Sequence, residues 1–417
     1  MNFFITTLGS YGDVHPFLWI GKLLKEKGHQ VMFFTNPYFA DLVEREGFDF
    51  IPIGTVDLYK SFSNHPKLFD PKTGPRIFWE NLVLTTIKES YYKIETRLQR
   101  NPVIISSLAF LASRLIQEKH SVKVVTVNLS PLGFKSAYEP PSVGRFSLPS
   151  KLPVIFGKIL WWLVDILALD PLIGKTLNPF RRRLGLSPVK HILSAWVFSP
   201  DLVIGLFPPW WAAPQPDWPP NTKLFSFPLF DQGVAEELPK EVAEFLEGGE
   251  PPIVFMPGTL NTAAKDFFIE SVAICERLNR RGVFLSKDSG QISKTLPASI
   301  GYWNYIPFSR LLPHAALLIH HGGIGTTAQA LSAGIPQIIR PMAFDQFDNA
   351  RRIQRLGVGR TVFPNKYRKE IVPDIILQLL ASERVYAKCA ALKRFLLSND
   401  QNKIIAEIEG VNTNRLI

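Results

Sequence analysis

The chain is poor in cysteine. Its two thiols, Cys275 and Cys389, are too few and too far apart in sequence for a disulfide framework or a zinc site. A reducing cytoplasm is therefore the default setting. The chain also lacks a long unbroken apolar run. Its most hydrophobic stretch, Val154 to Leu169 (VIFGKILWWLVDILAL), is interrupted by Lys158 and Asp165. It falls short of the roughly 20 apolar residues that a spanning helix needs. No secretory leader fits the start, because the Asn2–Thr7 run is short and acidic Asp13 follows it. No G-x-G-x-x-G follows that first run, which argues against a dinucleotide oxidoreductase. No carboxylate cluster suggests a bound metal, no nucleic-acid motif is present, and no solenoid-length repeat or biased tract occurs.

What remains is a folded globular chain. At 417 residues and 46% hydrophobic content it exceeds what one core usually supports, so two domains are expected. The formal charge of +11 suits anionic partners.

The most informative stretch runs from Tyr305 to Asn349. Ala316 to His320 reads as a buried parallel strand. It stops at His321-Gly322-Gly323-Ile324-Gly325, and Thr326 to Ala333 reads as a helix closed by Gly334 and Pro336. A strand, a glycine-rich turn and a helix N-terminus make an anion site, with free N–H groups and the favourable end of the helix dipole. A second apolar run, Pro336 to Pro341, leads to Asp345-Gln346. Together these are half of a nucleotide-binding crevice.

The N-terminus opens in the same way. Asn2 to Thr7 reads as a strand, Leu8 to Pro16 as a loop, Phe17 to Lys27 as a helix stopped by Gly28, and His29 to Thr35 as a strand. The loop holds Gly12, Asp13 and His15. The residues alone favour a turn or helix-cap role for Asp13. Val103 to Phe110 is the next strand, and its Ser106 and Ser107 either face the crevice or cap a helix start. Phe207 to Pro220 (FPPWWAAPQPDWPP) is too rich in proline for helix or central strand. Asp231 to Pro252, with an acidic helix over Ala235 to Glu247, reads as an interdomain linker. Ile253 to Met256 then restarts a second domain and runs into Pro257-Gly258-Thr259.

The pattern HHGGxGTT followed by DQ resembles the donor-binding signature of family 1 inverting glycosyltransferases of GT-B architecture. The Asp13-Val14-His15-Pro16 loop is similar to the one that carries the catalytic base in that family. The resemblance implies an α/β fold of two facing Rossmann-like domains with parallel sheets and a C-terminal helix crossing back to the first. The implied bounds are an acceptor-binding domain over 1–230, a linker over 231–252, a nucleotide-sugar-binding domain over 253–385 and a returning helical tail over 386–417. It implies Asp13 as catalytic base, with His15 second. It implies donor contacts from Gly258, Thr259, Tyr305 (stacked on the base), Ile306 (through its backbone), His321, Gly323, Gly325, Thr326 and Thr327 (on the diphosphate), and from Asp345 and Gln346 (on the sugar). Gln329 stands where plant members carry a ribose-binding glutamate, which leaves open whether the donor is a dTDP-sugar or a UDP-sugar. Gly12, Ser106, Trp161 and Trp162 are the acceptor-binding candidates. No cofactor or metal is expected.

LFDPKTG with Trp79, the PQPDWP stretch, FPLFD and FDQFDNARRIQRLG are similar to the chain-B rhamnosyltransferases of rhamnolipid synthesis. Sterol glucosyltransferases share less of the middle. The implied activity is transfer of rhamnose or glucose from a nucleoside-diphosphate sugar to the hydroxyl of a hydrophobic, lipid-like acceptor. Alternatives are a glucosyltransferase for a sterol or small aglycone, a non-catalytic GT-B subunit, and a sugar-nucleotide epimerase. The Val154–Leu169 stretch, Trp210-Trp211 and Arg181-Arg182-Arg183 give the membrane option. The protein would be cytoplasmic, with the first domain peripheral at the inner membrane face; a helix lining a pocket for an apolar acceptor and a plain buried helix are the other readings.

Overall fold

The computed structural model describes residues 1–142, 144, 153–232, 237–259, 261, 264–397 and 402–413. The chain divides into two compact units. The first takes in Met1–Ser142, Phe146–Pro228 and the C-terminal segment from Asp400; the second runs over Leu229–Asn399.

The first unit is an all-parallel sheet of seven strands: β1 (Asn2–Thr6), β2 (Gln30–Thr35), β3 (Asp49–Pro52), β4 (Val103–Ser107), β5 (Val124–Asn128), β6 (Leu202–Gly205) and β7 (Thr222–Leu224). Their order is β3-β2-β1-β4-β5-β6-β7. Strands β1, β4 and β5 are rich in Ile, Val and Phe and are almost wholly buried, as a sheet covered on both faces requires. The order reverses between β1 and β4, so ligands are expected outside the carboxyl ends of those two strands.

The second unit is a parallel sheet of six: β8 (Ile253–Met256), β9 (Gly282–Leu285), β10 (Ile300–Trp303), β11 (Leu317–His320), β12 (Gln337–Ile339) and β13 (Gly359–Thr361). Their order, β10-β9-β8-β11-β12-β13, reverses between β8 and β11. Both glycine-rich turns, at Gly258 and at Gly322-Gly323, leave the carboxyl ends of these two strands.

Four sequence expectations change. Asp13 is not in a loop. The helix begins at Tyr11, not Phe17, and runs to Glu26. Ser10 caps it, and Pro16 lies inside at the cost of one backbone bond. The 231–252 segment is not a bare linker, since its Lys240–Glu247 helix puts Val242 and Leu246 into the second unit's core with Val254, Leu285 and Leu318. The first two positions of the expected acidic helix, 235–236, lie outside the described residues. The tail is split. The Glu383–Leu397 helix stays with the second unit, where Lys393 donates to the Ala333 carbonyl at 3.4 Å. Only Asn402–Thr413 returns to the first unit, burying Ile404, Ile405 and Ile408 and pairing Glu409 with His29 at 2.6 Å. Finally, the triple arginine is not uniform: Arg181 is buried and paired with Glu118 at 2.7 Å, while Arg182 and Arg183 are exposed. Trp211 is likewise fully buried.

Candidate functional site

In the first unit the site is built at the switch point. Ser10 is the N-cap of the Tyr11–Glu26 helix, and its hydroxyl accepts from the Gly12 N–H at 3.1 Å. Asp13 completes the capping box: its Oδ2 accepts from the Ser10 N–H at 2.7 Å and from the Ser10 hydroxyl at 3.0 Å. The Thr7 hydroxyl donates to the Asp13 carbonyl at 2.9 Å. The helix-cap role is therefore real. It occupies one carboxylate oxygen, and Oδ1 accepts no bond from the described residues. Gly9 sits at φ +136°, and a Cβ there would lie 2.3 Å from Asp13 Oδ2. Only glycine lets the strand end pass so close to the carboxylate. Burial raises the Asp13 pKa, and the bonds from Ser10 oppose that rise. A carboxylate with a raised pKa and a free oxygen has the properties of a general base. His15 is half-buried and packs edge-on to the Tyr11 ring at 5.4 Å.

The acceptor-binding candidates fare unevenly. The Ser106 hydroxyl is spent on its own loop, donating to the Ser107 carbonyl at 3.1 Å and the Phe110 carbonyl at 3.4 Å. It is the neighbouring Ser107 Oγ that is buried without a partner. The Asn128 Nδ2 at the end of β5 is in the same state. Gly12 is exposed and held by the cap. The Trp161 indole donates to the Ser136 carbonyl at 3.1 Å, and Trp162 points outward, 51% exposed. An aromatic wall that sequence reasoning missed begins beside Asp13. Tyr11 meets Phe39 at 5.0 Å, Phe39 meets Tyr59 at 5.2 Å, and Tyr38 stacks on Tyr59 at 4.4 Å. The Tyr59 hydroxyl is buried with no partner. These residues lie at least 25 positions from Asp13 in sequence apart from Tyr11, so no local motif marks them.

In the second unit, the Ile324–Ala333 helix starts at Gly323 with no side chain capping it. Gly325 is exposed with open space around it, and Thr326 is partly exposed. This leaves first-turn N–H groups for an anion. Thr327 departs from expectation. It is buried, and its hydroxyl donates to the Gly323 carbonyl at 3.0 Å, so it braces the turn instead of holding a ligand.

The His321 ring lies against both glycines. A Cβ on Gly258 would be 3.1 Å from its Nδ1, and one on Gly323 would be 2.6 Å from its Nε2. His321 Nδ1 is buried with no partner, and burial pushes the imidazole pKa down to about 4. His320 has a structural role. Its Nδ1 accepts from the Gly322 N–H at 3.1 Å, and its Nε2 bonds Gln337 Oε1 at 3.0 Å. That pattern keeps it neutral, with burial, and then the neighbouring His321, driving its pKa down to about 3. Thr259 is exposed beside Gly258.

Asp345 and Gln346 stand at the start of the Gln346–Leu356 helix. Gln346 Oε1 accepts from the Met342 and Ala343 N–H groups at 2.8 and 3.1 Å, which leaves only its amide NH2 for a ligand. Asn349 Nδ2 donates to the Gly322 carbonyl and to Asp345 Oδ2, both at 2.9 Å, and so ties the two turns together. Tyr305 is 43% exposed, and its hydroxyl donates to the Gln232 carbonyl at 3.3 Å and accepts from the Gln232 N–H at 3.0 Å. The Ile306 side chain is in the core, so only its backbone can serve a ligand. Gln329 Nε2 donates to the Phe230 carbonyl and to Asp231 Oδ1, each at 3.4 Å. A pocket lined by Asp231, Ser309, Gln329 and Lys393 opens there. Asp231 also accepts from the Ser309 N–H at 2.6 Å, and burial raises its pKa.

Known proteins share this construction. Residues 3–138 match the glycosyltransferase family 28 N-terminal domain, and residues 283–407 match the Erythromycin biosynthesis protein CIII-like C-terminal domain. A sterol 3-beta-glucosyltransferase of Yarrowia lipolytica is 25% identical over 99% of this chain and 28% of its own length. The O-mycaminosyltylonolide 6-deoxyallosyltransferase of Streptomyces fradiae is 26% identical over 87% of this chain and 86% of its own. The spinosyn rhamnosyltransferase SpnG, solved with thymidine diphosphate, superposes with a TM-score of 0.69 at 18% identity, over 99% of each chain. The chain spans less than two thirds of the sterol glucosyltransferases it matches, 28% of one and 64% of another. In two stretches, 3–138 and 283–407, the chain matches glycosyltransferase-type family models, and its two parallel-sheet units share the fold of the glycosyltransferases of GT-B architecture.

Proposed function

We propose that this protein moves a hexose, rhamnose or glucose, from a nucleoside-diphosphate sugar to the hydroxyl of a hydrophobic, lipid-like acceptor, with inversion at the anomeric carbon. The observation that carries the reading is the second unit's switch point. There an uncapped helix N-terminus, with open space at Gly325, follows a buried, unpartnered His321 Nδ1 in the same glycine-rich turn. Asp13 takes the proton of the acceptor hydroxyl as its oxygen attacks the anomeric carbon. The bond from that carbon to the diphosphate oxygen breaks, and the leaving group carries away the negative charge. The first-turn N–H groups, Thr326 and His321 stabilise that charge as it builds. A single displacement inverts the centre. Asp345 and the Gln346 amide hold sugar hydroxyls, Tyr305 stacks on the base, and Asp231 offers beside Gln329 a carboxylate for the ribose.

The related proteins act on sterols and a macrolide, and one binds thymidine diphosphate, which supports an apolar aglycone and admits a dTDP-sugar donor. Glucosyl transfer to a sterol is the second reading, favoured by the match to sterol enzymes over nearly the whole chain. The aromatic wall at Tyr11, Phe39 and Tyr59 supports an apolar acceptor in either case. Such an acceptor would be met at a membrane face, with the protein peripheral to it.

The test is a mass-spectrometric screen of dTDP- and UDP-hexoses against hydroxy-fatty acids and sterols, with NMR of the anomeric proton in the product. A glycolipid of inverted configuration is the expected result. An epimerised donor formed without acceptor, or no turnover of any donor, would overturn the reading.

A further inference from the structure

The helix Val154–Val164 and its continuation Asp165–Leu169 carry two opposed stripes. Gly157, Trp161 and Asp165 face inward at spacings of four. Gly157 lets the helix approach Ala137, where a Cβ would meet the Ala137 carbonyl oxygen at 2.9 Å. The Trp161 indole donates to the Ser136 carbonyl. Asp165 is buried and paired with Lys135 at 3.0 Å. The helix is thus fixed to the first unit along one side.

Residues 155, 159, 163 and 167 repeat at the same spacing but two positions away, and they face out. Ile155 and Phe156 are each 56% exposed, Ile159 47%, Leu163 37% and Leu167 72%, with Trp162 beside them. Folded soluble chains rarely leave so continuous an apolar stripe in water. It is not a frayed core helix, because its inner stripe is already satisfied. Over 153–169 the exposed charge is positive. Lys158 is the exposed charged side chain over 153–169, lying 5.7 Å from the exposed Tyr138 ring, and Asp165 is the buried acid. Arg182 and Arg183 are exposed at the end of the next helix, Asp170–Arg183. Apolar residues, a Trp and a Tyr at the margin, and exposed cations are the chemistry of a helix lying in a lipid interface. None of the helices in the described residues is long and apolar enough to cross a membrane.

We infer that the outer stripe of this helix docks the protein on an anionic bilayer surface, lying flat with Ile155, Ile159, Leu163 and Leu167 inserted. The apolar stripe supplies the main binding term and Lys158, Arg182 and Arg183 the preference for anionic lipid. The inference deepens the proposed function only in saying where the acceptor is met; docking itself needs no sugar donor and is measured without one.

The experiment is co-sedimentation of the full chain with phosphatidylcholine vesicles of increasing phosphatidylglycerol content. Binding rises with phosphatidylglycerol, falls with salt, and drops about tenfold or more in the Ile159→Glu/Leu163→Glu variant. That variant keeps the parent melting temperature and its turnover of a water-soluble acceptor. Lys158→Glu/Arg182→Glu/Arg183→Glu flattens the dependence on lipid charge. The inference is overturned if the parent ignores vesicles, or if the double variant binds them as the parent does. It is equally overturned if sedimentation shows a dimer, indifferent to vesicles, that the double variant dissociates. A raised KM for the soluble acceptor in that variant would instead make the stripe part of the acceptor site.

Discussion

His321 lies against Gly258, with 3.1 Å between its Nδ1 and the point a Cβ on that glycine would occupy. Gly258 also holds φ +108°, which L side chains rarely adopt. Gly258→Ala therefore strains the turn after β8 and pushes the imidazole aside at once. The donor KM should rise about tenfold or more with a smaller effect on kcat, since binding is lost before chemistry. Steady-state kinetics over donor concentration check this. An unchanged donor KM would remove the turn from the donor site.

The low pKa of His321, about 4 against an ordinary 6.5, makes donor binding pH-dependent. A bound diphosphate favours the imidazolium, so the bound-state pKa lies above the free-state value. Nucleotide binding then takes up a proton, and affinity increases as pH falls from 7 toward the free-state pKa. Calorimetry at mildly acidic pH in two buffers of different ionisation heat reads the uptake directly. His321→Gln should abolish it. No uptake by the parent protein would place His321 away from the phosphates.

Asp13 both caps a helix and is the proposed base, so the choice of substitution matters. Asp13→Ala removes the acceptor of two bonds from Ser10 and costs helix stability, about 1 kcal/mol. Asp13→Asn keeps an acceptor oxygen for Ser10 but cannot take a proton. It should lower kcat by about 10²- to 10⁴-fold with little change in melting temperature. In the parent, kcat/KM should fall on the acid side through a pKa above the ordinary carboxylate value of 3.8, because burial raises it. A kcat within twofold or so of the parent for Asp13→Asn would transfer the role to His15.

Ser106 and Ser107 should separate structure from acceptor binding. Ser106→Ala removes a buried hydroxyl that bonds two carbonyls and should cost about 1 kcal/mol of stability with no change in acceptor KM. Ser107→Ala removes a buried hydroxyl that has no partner, so stability should hold or rise while acceptor KM increases. Melting curves and acceptor titrations on both variants decide it. The opposite pattern would restore Ser106 as the acceptor residue.

Much of this protein is legible along the chain. The turn at His321 to Gly325 carries its own instructions: a buried strand, glycines that permit close approach, and a helix that starts without a cap. Each is a local preference, so the anion site after β11 is read from a dozen residues. The sequence offered Asp13 a turn or cap role but set the helix start at Phe17; the structure starts the helix at Tyr11 and pairs Asp13 with Ser10.

Tertiary structure decided which of two adjacent groups is available. Thr326 and Thr327 are about 100° apart around one helix; the buried side of that helix took Thr327, whose backbone carbonyl accepts from Gln337 Nε2 on β12 at 3.3 Å, and left Thr326 partly exposed. Ser106 and Ser107 point to opposite faces of β4, and the loop at Phe110 took the first. Arg181 looked like its two neighbours until Glu118, on another helix, buried it. The Val154–Leu169 stretch is apolar nearly all round, so its sequence could not say which stripe met the protein. Gly157, Trp161 and Asp165 found Ala137, Ser136 and Lys135, and that left the other stripe facing water. Local sequence sets what each residue can do. Contacts between distant segments set which residues are left free to do it.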